Sequence, residues 1–487
     1  MTEPSDPKSR PTGRSFPGAR GILRNTAFLG AARIVERGSG IVLAVFIARW
    51  LGVRDLGIYS AAFAYYALIA PAGELGFVSL LVREIGKDRS ATNRYLVHAS
   101  AIGAGASMVA IGLFWLVVPQ LDLDHDLKDS ILVIVLALLP RTLNLIQEAV
   151  FIAHQQVRFQ TYVTTCGSLV NVVVGLYLLK SGHGLVSLFV LFVAIQYVVT
   201  LVYFVIINRR IARVRPELDR RFATGFVRDV APFAGTSFLA AFFSRPEIIL
   251  LSIIGTAEQV GFYSAALKIA SLWDDIPAMF MVNVFPQLSR AYRNAQREFD
   301  QLRTKALSYL LAVSLPLSAG IVATAVPLVA TIYGSGFDES VTPLRILALG
   351  IPLVSLQAVL WRTLSAQDRQ GLVFKTHLAS VGLRIGGAYL LITFFGTNGA
   401  AASVTATLLA HSMLLMIWLH RGGTEVRVRD ALWRFGLAAA AMGGIAWVLA
   451  TSVGIWIAVP VGIVSYGLFV LIGAKLSPLP ATDPARV

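Results

Sequence analysis

Ionisable side chains set inside long apolar runs are the residues of this sequence with chemistry to do. Arg33, Glu36 and Arg37 recur at spacings of three and four, which puts them on one helix face. Glu74, the pair Arg141 and Glu148, the triplet Arg245-Pro246-Glu247, Lys268, the adjacent Asp274 and Asp275, and Arg384 follow in later runs. A charge at a bilayer's centre costs at least about 2.5–3.5 kcal/mol, so these residues must face protein or a hydrated cavity. The basic set, Arg33, Arg37, Arg245 and Lys268, suits binding of an anionic substrate, because a guanidinium bridges two phosphate oxygens at once. The acidic set, Glu74, Glu247, Asp274 and Asp275, suits coupling to a proton or a cation. Two close carboxylates in a low dielectric can share a proton. Asp274 and Asp275, however, point about 100° apart on a helix and need not interact. The competing reading is structural, with Glu74 and Glu247 held in fixed ion pairs by Arg37 or Arg245. Crowding of the charges into expected helices 1, 2, 7 and 8 favours the cavity.

The elements that must position them are transmembrane helices. Of 487 residues 56% are hydrophobic and only 14% charged, and mean hydropathy is +0.69. Soluble domains carry about 25% charged residues, and a run of about 20 apolar residues spans a bilayer. An all-α polytopic membrane protein of about fourteen spans follows. They are expected at 24–49, 56–81, 95–118, 129–153, 159–180, 184–208, 226–254, 257–284, 306–333, 340–363, 374–395, 397–420, 431–452 and 454–474. The two-residue alternation of a membrane β-barrel is absent from these runs. With the N-terminus taken as cytosolic, 31 of the 42 Lys and Arg fall in cytosolic segments and 4 in the opposite loops. That bias places both termini inside. It also explains the net charge of +15 without invoking nucleic acid. The external loops are short. The longest, 119–130, is acidic and reads as solvated rather than metal-binding. Cys166 is the single cysteine, so no intramolecular disulfide forms. No Walker-type phosphate loop, catalytic residue or cofactor motif is present.

Gly57-Ile58-Tyr59-Ser60-Ala61-Ala62 recurs as Gly261-Phe262-Tyr263-Ser264-Ala265-Ala266, offset by 204, and Ala153-His154-Gln155 matches Ser365-Ala366-Gln367 at an offset of 212. Two parallel six-helix repeats plus two C-terminal helices are therefore expected, related by an axis along the membrane normal. The expected organisation is a disordered cytosolic tail (1–23), an N-terminal six-helix lobe (24–208), a basic cytosolic linker (209–228), a C-terminal six-helix lobe (229–420), helices 13–14 (431–474) and a second cytosolic tail (475–487). Lobes that rock about a shared cavity give alternating access. Gly103 with Ser107, Gly382 with Gly386, and Gly436 with Ala440 and Gly444 read as close-packing positions. Trp273, unlike the tryptophans near helix ends, is expected to face the cavity.

The stretch Ala48-Arg49-Trp50-Leu51-Gly52-Val53-Arg54-Asp55-Leu56-Gly57-Ile58-Tyr59 resembles the start of the polysaccharide-biosynthesis flippases, the Wzx-type translocases of lipid-linked oligosaccharides. Gly73-Glu74-Leu75-Gly76-Phe77, Leu81 to Glu84, and Arg245 to Arg290 resemble later parts of the same pattern. The resemblance implies transport of an undecaprenyl-pyrophosphate-linked glycan from the cytosolic to the periplasmic leaflet of a bacterial inner membrane. Polyprenyl-pyrophosphate glycan and membrane lipids would be its partners, with a polysaccharide polymerase and chain-length proteins beside it. The family often has Asp where Glu247 stands, so only a charged cavity residue carries over. A lipid II flippase, a cation-coupled multidrug extruder and a membrane glycan polymerase are the alternatives. The arginines and helices 13–14 count against the extruder, and the short external loops count against the polymerase.

Overall fold

The computed structural model describes Val35, residues 38–74, 76–217, 219–228, Val230, 245–424, Val426 and 428–476. Helices dominate, and no strand occurs among the described residues. The N-terminal half holds α1 (Gly38–Leu51), α2 (Val53–Glu74), α3 (Phe77–Lys87), α4 (Thr92–Val117), α5 (His125–Ile134), α6 (Leu138–Ala153), α7 (Val157–Lys180) and α8 (Leu185–Arg210). A short helix, α9 (220–228), lies in the connection between halves. The C-terminal half holds α10 (Pro246–Ile254), α11 (Ala257–Ala270), α12 (Asp275–Asn294), α13 (Gln296–Tyr333), α14 (Val341–Ala348), α15 (Ile351–Ala366) and α16 (Gln370–Arg421). α17 (Val428–Ser452) and α18 (Ile455–Leu476) follow, with α17 packed along α13.

This is a multi-pass membrane protein. Among the described residues, ten helical stretches are long and apolar enough to cross a bilayer. The difference from fourteen is partly physical and partly falls on residues outside those described. α16 runs over 52 residues but turns back at Gly396, where φ is 52° and ψ −126°, so it supplies two of the expected spans. The expected span 257–284 is divided by a 3-10 turn at Ser271–Trp273 between α11 and α12. α10 is short, and residues 231–244 of the span expected before it lie outside the described residues.

Glycine packing holds at one of the three expected places. A Cβ at Gly103 would press on Thr142, and Ser107 Oγ lies 2.9 Å from Thr142 Oγ1, which binds α4 to α6. Gly382, Gly386, Gly436 and Gly444 face open space instead. The inter-half connection is docked onto the start of α4. Asn93 exchanges two hydrogen bonds with the Arg215 backbone, Arg94 pairs with Asp219 at 2.7 Å, and buried His98 accepts from the Asp219 amide. The Phe222 and Arg221 amides, with Arg94, hold the Asp219 carboxyl below the usual carboxylate range.

The halves meet through α2, α10 and α11. At the end opposite the basic connection, the two copies of the sequence motif cross backbone to backbone. A Cβ on Gly57 would overlap the Ala257 carbonyl oxygen, and one on Gly261 the Val53 carbonyl oxygen. Only glycine permits so close an approach. Three further bonds cross the same seam. Arg49, near the end of α1, donates to the Ile332 carbonyl at 2.8 Å and to that of Thr331, at the C-terminus of α13. Tyr65 Oη lies 3.2 Å from Ser252 Oγ.

Candidate functional site

Beneath that seam two cavities adjoin. The larger, about 420 Å³, lies between the halves and is walled by α1, α2, the start of α10, and α11. The smaller, about 250 Å³, lies within the C-terminal half among α10, α11, α14, α15 and α16. Arg245, Leu267 and Ser271 line both. Arg245 is placed there by its neighbour. Pro246 occupies the first position of α10, where its missing N–H leaves no helical bond unmade. Arg245 therefore caps the helix in a non-helical conformation (φ −148°, ψ 57°), between the cavities.

The larger cavity is cationic. Among the described residues its wall holds Arg245 and Lys268 and no carboxylate. The Lys268 ammonium lies 5.9 Å from the centre of the Tyr59 ring, a cation–π arrangement across the seam between halves. Ser60 and Ser264, at the same position of the two motif copies, also line it. Both hydroxyls are buried without a hydrogen-bond partner.

The smaller cavity is polar but internally compensated. Glu247 is fully buried and binds Arg384 through two bonds, 2.8 Å from Nη2 and 3.2 Å from Nε. The Tyr263 hydroxyl donates to the same carboxylate at 3.1 Å. Glu247 thus pairs with Arg384 and not with Arg245, the partner the structural reading of the sequence offered. Asp274 and Gln357 line the same space. Gln357 donates to the Leu408 carbonyl at 2.8 Å.

The remaining candidates are dispersed. Glu74, the last residue of α2, lines neither cavity and faces Arg141 at 3.9 Å, while Arg141 also reaches Glu148 at 4.0 Å. Asp275 opens α12 and lines neither cavity. Arg33, Glu36 and Arg37 lie outside the described residues. Trp273 lines neither of these two cavities. It is buried and donates to Ser355 Oγ at 2.8 Å. Among the described residues no group of three side chains is arranged to hold a metal ion. Three site residues escaped the sequence reading. Ser60 and Ser264 were visible only as markers of the repeat, and Tyr59 as part of the same motif. A hydroxyl retained in both copies was the signal that could have found the serines.

The model of the polysaccharide biosynthesis protein family matches residues 46–342, and that of the lipid II flippase MurJ matches residues 276–466. A curated Haloferax volcanii protein, "Probable low-salt glycan biosynthesis flippase", is 24% identical over 218 residues, 44% of this chain and 46% of that protein. The match therefore spans about half the length of that relative. Among solved structures, the lipid II flippase MurJ in an inward closed conformation superposes with a TM-score of 0.74 at 16% identity, covering 92% of this chain and 98% of that one. A multidrug resistance MATE family transporter in an inward-facing conformation gives 0.64 at 15% identity, covering 81% and 95%. At such identities the likeness is one of fold.

Proposed function

This chain belongs to the polysaccharide biosynthesis protein family, and from that premise we propose that it is a flippase for a polyprenyl-pyrophosphate-linked oligosaccharide. The observation that carries the reading is the larger cavity, which straddles the two halves and whose described charged lining residues, Arg245 and Lys268, are both basic. A pyrophosphate keeps its charge in transit, and an isolated charge in hydrocarbon is costly. A cationic, hydrated cavity between rocking halves lowers that barrier, while the polyprenyl tail stays in lipid. Arg37 of the other half joins Arg245 on the pyrophosphate in this reading, and Arg33, four positions earlier in the sequence, is a further candidate contact. The protein acts as a transporter rather than an enzyme. In this reading an N-terminal lobe (24–208), a C-terminal lobe (229–420) and helices 13–14 (431–474) make up the carrier, and polymerase and chain-length proteins would receive its product. It resides in the bacterial inner membrane with both termini in the cytosol, a reading that the positive-inside bias of the loop charges supports.

Among the acidic candidates, the geometry supports Glu74 best as the coupling residue. Glu247 already has a tethered cation in Arg384 at 2.8 Å, whereas Glu74 meets Arg141 only at 3.9 Å. A looser pair leaves the Glu74 carboxylate freer to take up a proton or sodium ion. A second reading, transport of lipid II, draws support from the family-model match over 276–466. It differs only in the sugar headgroup. A cation-coupled drug extruder fits a basic cavity poorly.

The test is leaflet exchange in liposomes. The reconstituted protein should move a fluorescent polyprenyl-pyrophosphate oligosaccharide to the leaflet reached by an added glycosidase. An Arg245→Ala, Lys268→Ala variant of normal abundance should be slowed about tenfold or more, as expected from losing two charge-assisted contacts. Undiminished exchange by that variant would end the reading. Lipid II in place of the oligosaccharide separates the two headgroups.

A further inference from the structure

Ser60 and Ser264 line the cationic cavity, and their buried hydroxyls lack partners, a placement that goes beyond a general attraction for anions. Ser60 is 9% exposed and Ser264 2%, and neither Oγ has a hydrogen-bond partner. Serine in a membrane helix ordinarily donates to a carbonyl of the preceding turn, as Ser403 and Ser412 do here. An orphaned buried donor is destabilising, and each such group calls for an explanation. Here both orphans lie in the wall of the same cavity, beside Arg245 and Lys268.

We propose that Ser60 and Ser264, with Arg245 and Lys268, form a phosphate-binding site that is complete only while Gly57 and Gly261 are in contact. The inference rests on the flippase reading for its biological use, not for its geometry. The ligand class is a phosphate or pyrophosphate group, whose several acceptor oxygens accept from two hydroxyls and two cations together. Each serine lies three residues, nearly one turn, beyond its motif glycine. The glycines are where α2 and α11 touch most closely. Any motion that opens this end of the molecule must part α2 from α11. It then carries Ser60 away from Ser264, while Arg245 and Lys268 stay with the C-terminal half. Two donors leave the ligand as the exit opens, so opening and loosening of the ligand are one event. A carrier that kept its full grip on the far side would release slowly.

The experiment uses the purified full chain, titrated with farnesyl pyrophosphate and with inorganic pyrophosphate, alongside thermal unfolding of the ligand-free protein. Ser60→Ala and Ser264→Ala should each weaken binding about tenfold, the loss of one charge-assisted hydrogen bond. Ligand-free unfolding should stay the same or rise in temperature, because an orphan has been removed. Gly57→Ala, which leaves both serines in place but forces the helices apart, should bind as weakly as the double serine variant. Wild-type affinity in the double variant overturns the site, as does a ligand-free protein destabilised by both substitutions. Wild-type affinity in Gly57→Ala overturns its dependence on the glycine contact. Tighter binding of farnesyl than of inorganic pyrophosphate assigns the site to a lipid-linked ligand, and equal binding to a free one; either supports a phosphate site. Absence of lipid exchange together with serine-dependent binding would sink the transport reading and leave this one standing.

Discussion

Glu247 is the most constrained charge in the molecule, because it has no exposure and three hydrogen bonds. Burying a carboxylate is tolerable only with such compensation. Removing one member of a buried pair leaves the other uncompensated, so Glu247→Gln should destabilise the protein by about 3 kcal/mol or more. Arg384 is 26% exposed, and part of its charge can turn to water. Pairing Glu247→Gln with Arg384→Gln should therefore recover much of the loss. Thermal unfolding of the single and double variants in detergent measures this coupling. Additive losses would mean that the two residues act separately. The pairing could not be read from the chain, because 137 residues separate the partners and Arg245 stands two positions from Glu247. Sequence proximity pointed to the wrong arginine, whose side chain is directed to the cavities by the proline between them.

At the scale of elements, the crossing of α2 and α11 decides which end of the cavity is sealed. The repeated motif was plain in the sequence, and helix periodicity could place its glycines on a face. That the two faces meet each other required the assembled bundle. Gly57→Ala should open this end. In a variant lacking the exposed native Cys166, a cysteine introduced at Ser60 should react faster with an impermeant thiol reagent once Gly57→Ala is added. Unchanged labelling would show that the seal lies elsewhere. The repeat also reaches the turns. Gln155 and Asp368, one residue after the ends of their preceding caps, share a left-handed conformation, with φ of 58° and 57°. The helices before them end at Ala153 and Ala366. The structural register is thus one residue beyond the match of Ala153 to Ser365 made from sequence.

For the whole molecule, orientation follows from charge. The connection between halves carries Arg209, Arg210, Arg213, Arg215, Arg220, Arg221 and Arg228, and it docks at the start of α4. The positive-inside bias predicts that this end faces the cytosol. A cysteine at Ser181 should react with an impermeant reagent added to intact cells, and one at Arg215 should react only after lysis. Labelling of position 215 from outside would reverse the orientation and, with it, the direction assigned to transport.

Apolar run length and loop charge determined the fold class and most span positions, and the repeated motif raised the expectation of two related halves. These are local or periodic properties, and the chain carries them wherever it folds. Which charges share a cavity was not such a property. At the motif's offset Glu247 corresponds to Leu43 and Lys268 to Ala64, so the described charges of the two cavities come from the C-terminal half rather than symmetrically from both. Glu74 and Glu247, grouped by depth, occupy separate surroundings with different arginines. The physical reason is that burial and pairing of a charge depend on what the neighbouring helices bring within about 4 Å. Helix period sets the face a residue occupies, but only the packing of helices distant in sequence sets what that face meets.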